Sequence, residues 1–194
     1  MHIKPEIRIL GIDDSPLVSK KVFLIGTIFR GGKWLDGVLK AEVERDGLDA
    51  TRQIIMMVKN SKHYPQIRVI LLNGVTLAGF NVVDVKKVFK EVKVPVIVVM
   101  RSKPDYTAIE AALQNLSKPK LRLAIIKRAG KIYEVKTQPR GLPVYMQCTG
   151  IEPEDAEKIV KLASTRSRIP EPLRVAHLIA TAITYGESAG RSRA

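Results

Sequence analysis

The run IRILGID, residues 7–13, ends on a carboxylate and is followed at once by a second, Asp14. The run IRVILL, residues 67–72, ends on the amide Asn73 and then a glycine. Short apolar runs closed by polar residues read as buried strands, and in a parallel sheet the side chains at C-terminal strand ends face a crevice where ligands gather. If these two strands are neighbours, Asp13 or Asp14 and Asn73 lie close enough to share a divalent ion through oxygen. Two carboxylates and an amide oxygen suit Mg or Mn far better than zinc. DDSP and NG are also ordinary turn sequences.

Further groups follow the same logic. RDGLDAT places Asp46 and Asp49 just ahead of a helix, where Asp49 serves as an N-cap and Asp46-Gly47 as a turn, or either points into the crevice. Arg101 and Lys103 follow the run VPVIVVM and put cations at the same edge, where a scissile phosphate needs one. Asp36 and Asp84 read as solvated or locally paired. His177 lies in PEPLRVAHLIATAI beside an apolar stripe of Leu173, Ala176, Ala180 and Ile183, the setting of a core imidazole as much as of a catalyst. His2, at the terminus, and His63, in a helix-exit loop, are assigned no role. No G-x-S-x-G elbow is present, Cys148 has no histidine nearby in sequence, and FRGGK and KRAGK lack the G-x-x-x-x-G-K spacing of a phosphate loop.

The elements that must position these groups are legible from periodicity. Three strands open the chain: residues 7–13, 20–32 and 33–47, the last two joined at Gly31 and Gly32. A helix over 49–63, a strand over 67–72, a helix over 81–92, a strand over 94–100 and a helix over 105–116 then alternate. The pattern predicts an α/β, ribonuclease H-like mixed sheet: three antiparallel meander strands plus parallel strands, with the first, fourth and fifth parallel and central, flanked by helices. Residues 120–128 (KLRLAIIKR), 131–137 and 142–150 read as further strands, and 152–164 and 170–186 as closing helices. The expectation is one domain over residues 1–186 with this C-terminal strand and helix extension, and a disordered basic tail over 187–194.

Composition bounds the partners. The 194 residues carry 33 Lys and Arg against 19 Asp and Glu, a formal charge of +14. That balance points to a polyanion, nucleic acid first and an anionic membrane second. The excess is slightly denser after residue 117, and Lys118 to Lys131 holds six cations and no anion. Lys103, Lys118, Lys120, Lys127 and Arg128 are the candidate phosphate contacts. Cys148 is the only cysteine, which rules out an intrachain disulfide and a thiolate metal cluster and fits a reducing cytoplasm. No apolar run reaches the roughly 18 residues that span a bilayer, so a cytoplasmic protein without a membrane partner is expected.

The stretches GIDDS, RGG…LDGVL, DGLDAT, LLNGVTLAGFNVVD and PVIVVMRSKPD resemble, over nearly the whole chain, a largely archaeal family similar to endonuclease V and known as endonuclease dU. The G-x-T-x-A-G-F-N-x-V-D stretch, residues 74–84, is its specific part. The resemblance implies a Mg- or Mn-dependent endonuclease that hydrolyses DNA phosphodiesters near a deaminated base in DNA repair, deoxyuridine being favoured. Its DNA would contain uracil or hypoxanthine, single- or double-stranded. Asp13, Asp49 and Asn73 would form the metal site, with Asp14 or Asp46 as additions; Arg101 would neutralise the phosphate and His177 would assist proton transfer or bridge to a second metal site. Two departures stand out. The PYIPG wedge with which endonuclease V probes a lesion has no counterpart in EVERDGLDAT. Where relatives have LDG this chain has LNG, so Asn73 keeps one neutral oxygen and loses a negative charge. A fall in activity of about two orders of magnitude follows from losing one strong electrostatic contact, unless Asp14 or Asp46 compensates. The alternative is a weakly active or inactive nucleic-acid-binding protein of the same fold.

Overall fold

The computed structural model describes residues 3–188. In chain order the elements are β1 (Arg8–Asp14), β2 (Lys21–Arg30), β3 (Trp34–Glu44), α1 (Ala50–Lys59), β4 (Val69–Asn73), β5 (Thr76–Leu77), β6 (Asn81–Val82), α2 (Val85–Val92) and β7 (Val96–Met100). After them come α3 (Tyr106–Leu113), α4 (Pro119–Arg128), β8 (Tyr133–Val135), β9 (Val144–Thr149), α5 (Pro153–Ala163) and α6 (Glu171–Tyr185).

Seven strands form one sheet in the order β3-β2-β1-β4-β7-β9-β8. The meander β1-β2-β3 is antiparallel, β1-β4-β7 are parallel, and β9 returns antiparallel beside β7. The three central parallel strands are continuous apolar runs because both of their faces are covered. Leu10, Ile12, Ile70, Leu72, Val96 and Val98 pack toward α1, α2 and α4, whereas Ile9, Val69, Leu71, Ile97 and Val99 pack toward α5 and the start of α6. Each of these side chains is essentially inaccessible, and burial of one contributes about 1.5–3 kcal/mol. The period-two alternation decides where the polar strand ends project. Asp13 and Asn73 continue the odd-numbered set toward α6, and Asp14 continues the even-numbered set toward α1.

A glycine sets how closely α6 lies against β1. A Cβ at Gly11 would stand 2.5 Å from the Pro172 carbonyl carbon and Cβ, so any side chain there would lift the helix off the strand. Thr27 Oγ1 donates to Pro172 O at 2.6 Å and ties the same helix end to β2.

Residues 120–128 form a helix, α4, and not the strand expected from the sequence. The alternation of Leu121, Leu123 and Ile125 misled, because the residues buried here are Arg122 and Ile126, one helical turn apart, while Leu121 is 45% exposed. β8 and β9 do extend the same sheet, as residues 131–137 and 142–150 suggested. The first helix is shorter than expected and ends at Lys59. A two-stranded hairpin, β5-β6, precedes α2 where the start of a helix was expected. Of the tail expected over 187–194, residues 189–194 lie outside the described residues. No helix among the described residues is long and apolar enough to cross a membrane.

Candidate active site at the ends of the parallel strands

Asp13 is the centre of the arrangement. Its side chain is 1% exposed, and a carboxylate so placed needs partners for both oxygens. Oδ1 accepts from Asn73 Nδ2 at 2.9 Å and from the Asp14 backbone N–H at 3.0 Å; Oδ2 lies 3.1 Å from His177 Nδ1. β1 and β4 run parallel in register, Ile12 beside Leu72, so the next residues along, Asp13 and Asn73, meet on one face. His177, two turns into α6, closes over them because Gly11 lets the helix approach. The hydrogen bond that His177 donates to Asp13 raises the histidine pKa above that of an ordinary imidazole, against the opposing effect of burial. His177 Nε2 has no protein partner among the described residues.

Asp14 turns to the other face. Its Oδ2 accepts from the Ala78 N–H at 2.7 Å. Burial, and then the charge of Asp13, push the Asp14 carboxyl up to about 7. Two carboxylates this close, one held near half-protonation at neutral pH, form a site that gains from a cation.

Asp46 and Asp49 form a neighbouring group on the α1 side. Asp46 Oδ1 accepts from the Phe80 N–H at 2.8 Å, and Asp49 Oδ1 accepts from Asn81 Nδ2 at 2.6 Å. Asp49 occupies the N-cap position of α1 but its side chain makes no capping bond; Asn81 Oδ1 instead accepts from the Ala50 N–H at 2.9 Å. Residues 77–81 thus act as a rail against which Asp14, Asp46 and Asp49 are each set. Ala78 and Gly79 there take positive φ angles of 48° and 83°. A Cβ on Gly79 would stand 2.3 Å from Asp46 Oδ1, so this rail position requires glycine both for its backbone and for its space.

Beneath the rail lies Arg122, 1% exposed. Its guanidinium donates to the carbonyls of Asp46, Gly47, Phe80 and Ser117, at 2.6–2.8 Å, and to Ser117 Oγ at 3.3 Å. A planar fork with five donors suits this task, which a lysine's single ammonium does not fulfil. Sequence reasoning passed over Arg122 and Asn81. The signal for Asn81 was its place in the specific stretch of residues 74–84; Arg122 had none, sitting in a basic segment that looked solvated.

Arg101 follows β7 at the same edge, close enough to Asp13 for the two charges to interact, and burial and Arg168 both pull its pKa down. Arg168, also unforeseen, donates from Nη1 to the Arg101 carbonyl at 3.2 Å and to the Pro143 carbonyl at 3.1 Å. Lys103 is exposed on the loop beyond. Of the cations on and around α4, Arg128 pairs with Asp84 at 3.4 Å, while Lys118, Lys120 and Lys127 make no ion pair among the described residues. Asp36 pairs with Arg8 and Arg30, as a locally satisfied carboxylate should.

The structure therefore brings together Asp13, Asn73 and His177, with Arg101 at the rim, and sets Asp14, Asp46 and Asp49 beside them on the other face. The donors fit a hard divalent cation: Asp13 and Asp14 offer carboxylate oxygens, and Asn73 offers its carbonyl oxygen if the amide turns over. No three His, Cys, Asp or Glu side chains among the described residues form a metal cage on their own, so such an ion would retain several waters, as Mg does.

The chain has relatives among known proteins. Residues 5–184 match the family model described as endonuclease dU. A UPF0215 protein of Methanosarcina acetivorans is 59% identical over 98% of this chain and 97% of its own length. A crystal structure of a protein of unknown function from Archaeoglobus fulgidus, 43% identical, superposes with a TM-score of 0.83 over 91% of this chain and 97% of that one. Ciona intestinalis endonuclease V (D234N), in complex with DNA containing an inosine followed by a ribo-adenosine, shares the ribonuclease H-like fold at a TM-score of 0.60 and 17% identity, over 88% of this chain and 82% of that one.

Proposed function

The chain belongs to the endonuclease dU family, and from that premise we propose that it is a metal-dependent endonuclease that hydrolyses DNA phosphodiesters near deaminated bases, deoxyuridine in particular, in DNA repair. The observation that carries the reading is the buried Asp13 carboxylate at the end of the central parallel strand, held between Asn73 and His177. The DNA in the Ciona endonuclease V complex and the charge of +14 support the choice of polymer.

Asp13 and Asp14 would hold a Mg or Mn ion, with Asn73 adding an amide oxygen, and Asp49 would enter from the α1 side through Oδ2, which has no protein partner among the described residues. When bound, such an ion supplies Lewis acidity toward the phosphate and toward an attacking water. The chain's own groups divide the remaining work. Asp13 fixes the imidazole of His177 through Nδ1 and favours its protonated form, leaving Nε2 to give a proton to the leaving oxygen. Arg101 sets a charge where negative charge grows on the phosphate. Arg122 keeps the loops bearing Asp46 and Asp49 against residues 78–81.

Incision of labelled single- and double-stranded oligonucleotides carrying one uracil or hypoxanthine, with Mg or with EDTA, tests the reading. Absence of Mg-dependent cuts from both the wild-type chain and Asn73→Asp sinks it. One observation favours a second reading. The Asn73 amide already donates to Asp13 and thereby does part of what a cation would do, as suits a protein that binds nucleic acid and cuts it weakly or not at all.

A further inference from the structure

A cleft of about 600 Å³ opens well away from Asp13, at the β2-β3 turn. It is lined by Phe29, Lys33, Trp34, Arg166, Glu171 and Val175, among others. Trp34 is the only tryptophan in the chain and is 61% exposed, an unusual position for the side chain with the most apolar surface to hide. It lies across from Arg30, which in turn pairs with Arg8 at the far end of β1 from Asp13. Strand rise and spacing place it roughly 20 Å from Asp13.

The charges around the indole are unbalanced toward the positive. Lys33 and Arg166 make no ion pair among the described residues. The one carboxylate lining the cleft, Glu171, is 4% exposed and is held by Arg174 through three hydrogen bonds of 2.7–3.0 Å. Asp36, behind the turn, is shared between Arg8 and Arg30. Among the residues that line the cleft, no carboxylate is left unpaired.

The cleft is also connected to the candidate active site. Thr165 Oγ1 donates to the Gly32 carbonyl at 3.0 Å, fixing one end of the segment 165–168 at the β2-β3 turn. Arg168 fixes the other end at the Arg101 carbonyl. Lys33, Arg166, Arg168 and Arg101 therefore mark a cationic path between an exposed aromatic face and the edge where Asp13 sits. An aromatic platform joined to a basic track is how proteins hold single strands, since every base has a π face and every linkage a charge.

We propose that this cleft is a second nucleic-acid contact, in which one base of single-stranded DNA stacks on Trp34 while Lys33 and Arg166 hold the flanking phosphates. The strand then runs along residues 166–168 toward Arg101. The inference shares the nucleic-acid part of the proposed function and does not depend on its cleavage chemistry.

The lone tryptophan provides the assay. The full chain, in EDTA and low salt, is titrated with a single-stranded oligothymidylate of about fifteen nucleotides. Indole emission should be quenched as the strand binds, and added salt should reverse the quench. Trp34→Ala should weaken binding, read by anisotropy of the labelled strand, by about tenfold or more, and Trp34→Phe by much less. Lys33→Gln and Arg166→Gln should each reduce the slope of log affinity against log salt by about 0.7. Binding by anisotropy that leaves indole emission unchanged and is indifferent to Trp34→Ala overturns the proposal. So does indole emission that shifts with protein concentration alone as the mass doubles, which would make the cleft a contact between copies of this chain. Incision is measured separately with Mg, so loss of cutting with the quench intact refutes only the nuclease reading.

Discussion

Asn73→Asp is the perturbation with the most to say about the site. The amide now bridges 2.9 Å from its Nδ2 to Asp13 Oδ1, and the substitution replaces a donor with a second negative oxygen. Two unit charges at the observed 2.9 Å separation repel by about 6 kcal/mol at an effective dielectric near 20. Asp14, pushed up to about 7 in part by Asp13, shows that the site already resists one extra charge. The folded protein can relieve the repulsion by keeping a proton that the unfolded chain has released. The pair should then give up its second proton only well above the ordinary carboxylate range, with full stability in acid and a deficit that grows as pH rises toward 8. For a chain of this size the deficit lowers the melting temperature by roughly 10–20 °C. Thermal unfolding of wild type and Asn73→Asp at pH 5 and pH 8, in EDTA and in Mg, measures it. The variant should melt far below wild type only at pH 8 in EDTA, recover in Mg, and cut uracil-containing DNA about a hundredfold faster. If it melts like wild type at pH 8 in EDTA, or ignores Mg, then the Asn73 amide is not standing in for a cation and the metal-site argument is wrong.

Other substitutions test other parts of the arrangement. In EDTA the wild-type chain should lose stability as pH rises from the ordinary aspartate value of 3.8 to about 7, because Asp14 is raised in the folded state and its favourable share is complete only below 3.8; Asp14→Asn should flatten that slope in urea titrations. His177, also raised, contributes stability that is complete below an ordinary imidazole's 6.5 and is lost as pH rises through its higher folded value; Asp13→Asn should bring the imidazole pKa down, since burial and Arg101 then act with little opposition, followed by proton NMR of the ring. Arg122→Met leaves four carbonyls without donors and should cost about 3 kcal/mol or more in chemical denaturation. Gly11→Ala forces a Cβ into Pro172 and should cost about 1–3 kcal/mol while separating His177 from Asp13, seen as loss of the raised imidazole pKa.

What could be read from the sequence, and what could not, divides by the kind of atom that makes the contact. The sheet was legible because its strands are apolar runs of the right length, and parallel order follows from the helices that separate them. Asp13, Asn73 and His177 were legible because strand ends and a helical stripe are places where a polar side chain is conspicuous. The strand assigned to residues 120–128 failed for a definite reason: hydrophobic pattern treats arginine as a solvent residue, and Arg122 is among the most deeply buried side chains in the protein. Its charge is met by four backbone carbonyls, which leave no mark in a sequence. The same holds for the rail at residues 77–81. Asp14 and Asp46 are placed by the N–H groups of Ala78 and Phe80, and an amide hydrogen looks alike at every position. Only the glycine that keeps Asp46 unobstructed and the asparagine that replaces the expected cap of α1 hint at it. The acidic residues flagged by type do lie at and beside these strand ends, but their grouping was not theirs to reveal: Asp13 and Asp14, adjacent in the chain, project to opposite faces, and the partition of the candidate site into a histidine side and a helix side follows from that single step along one strand.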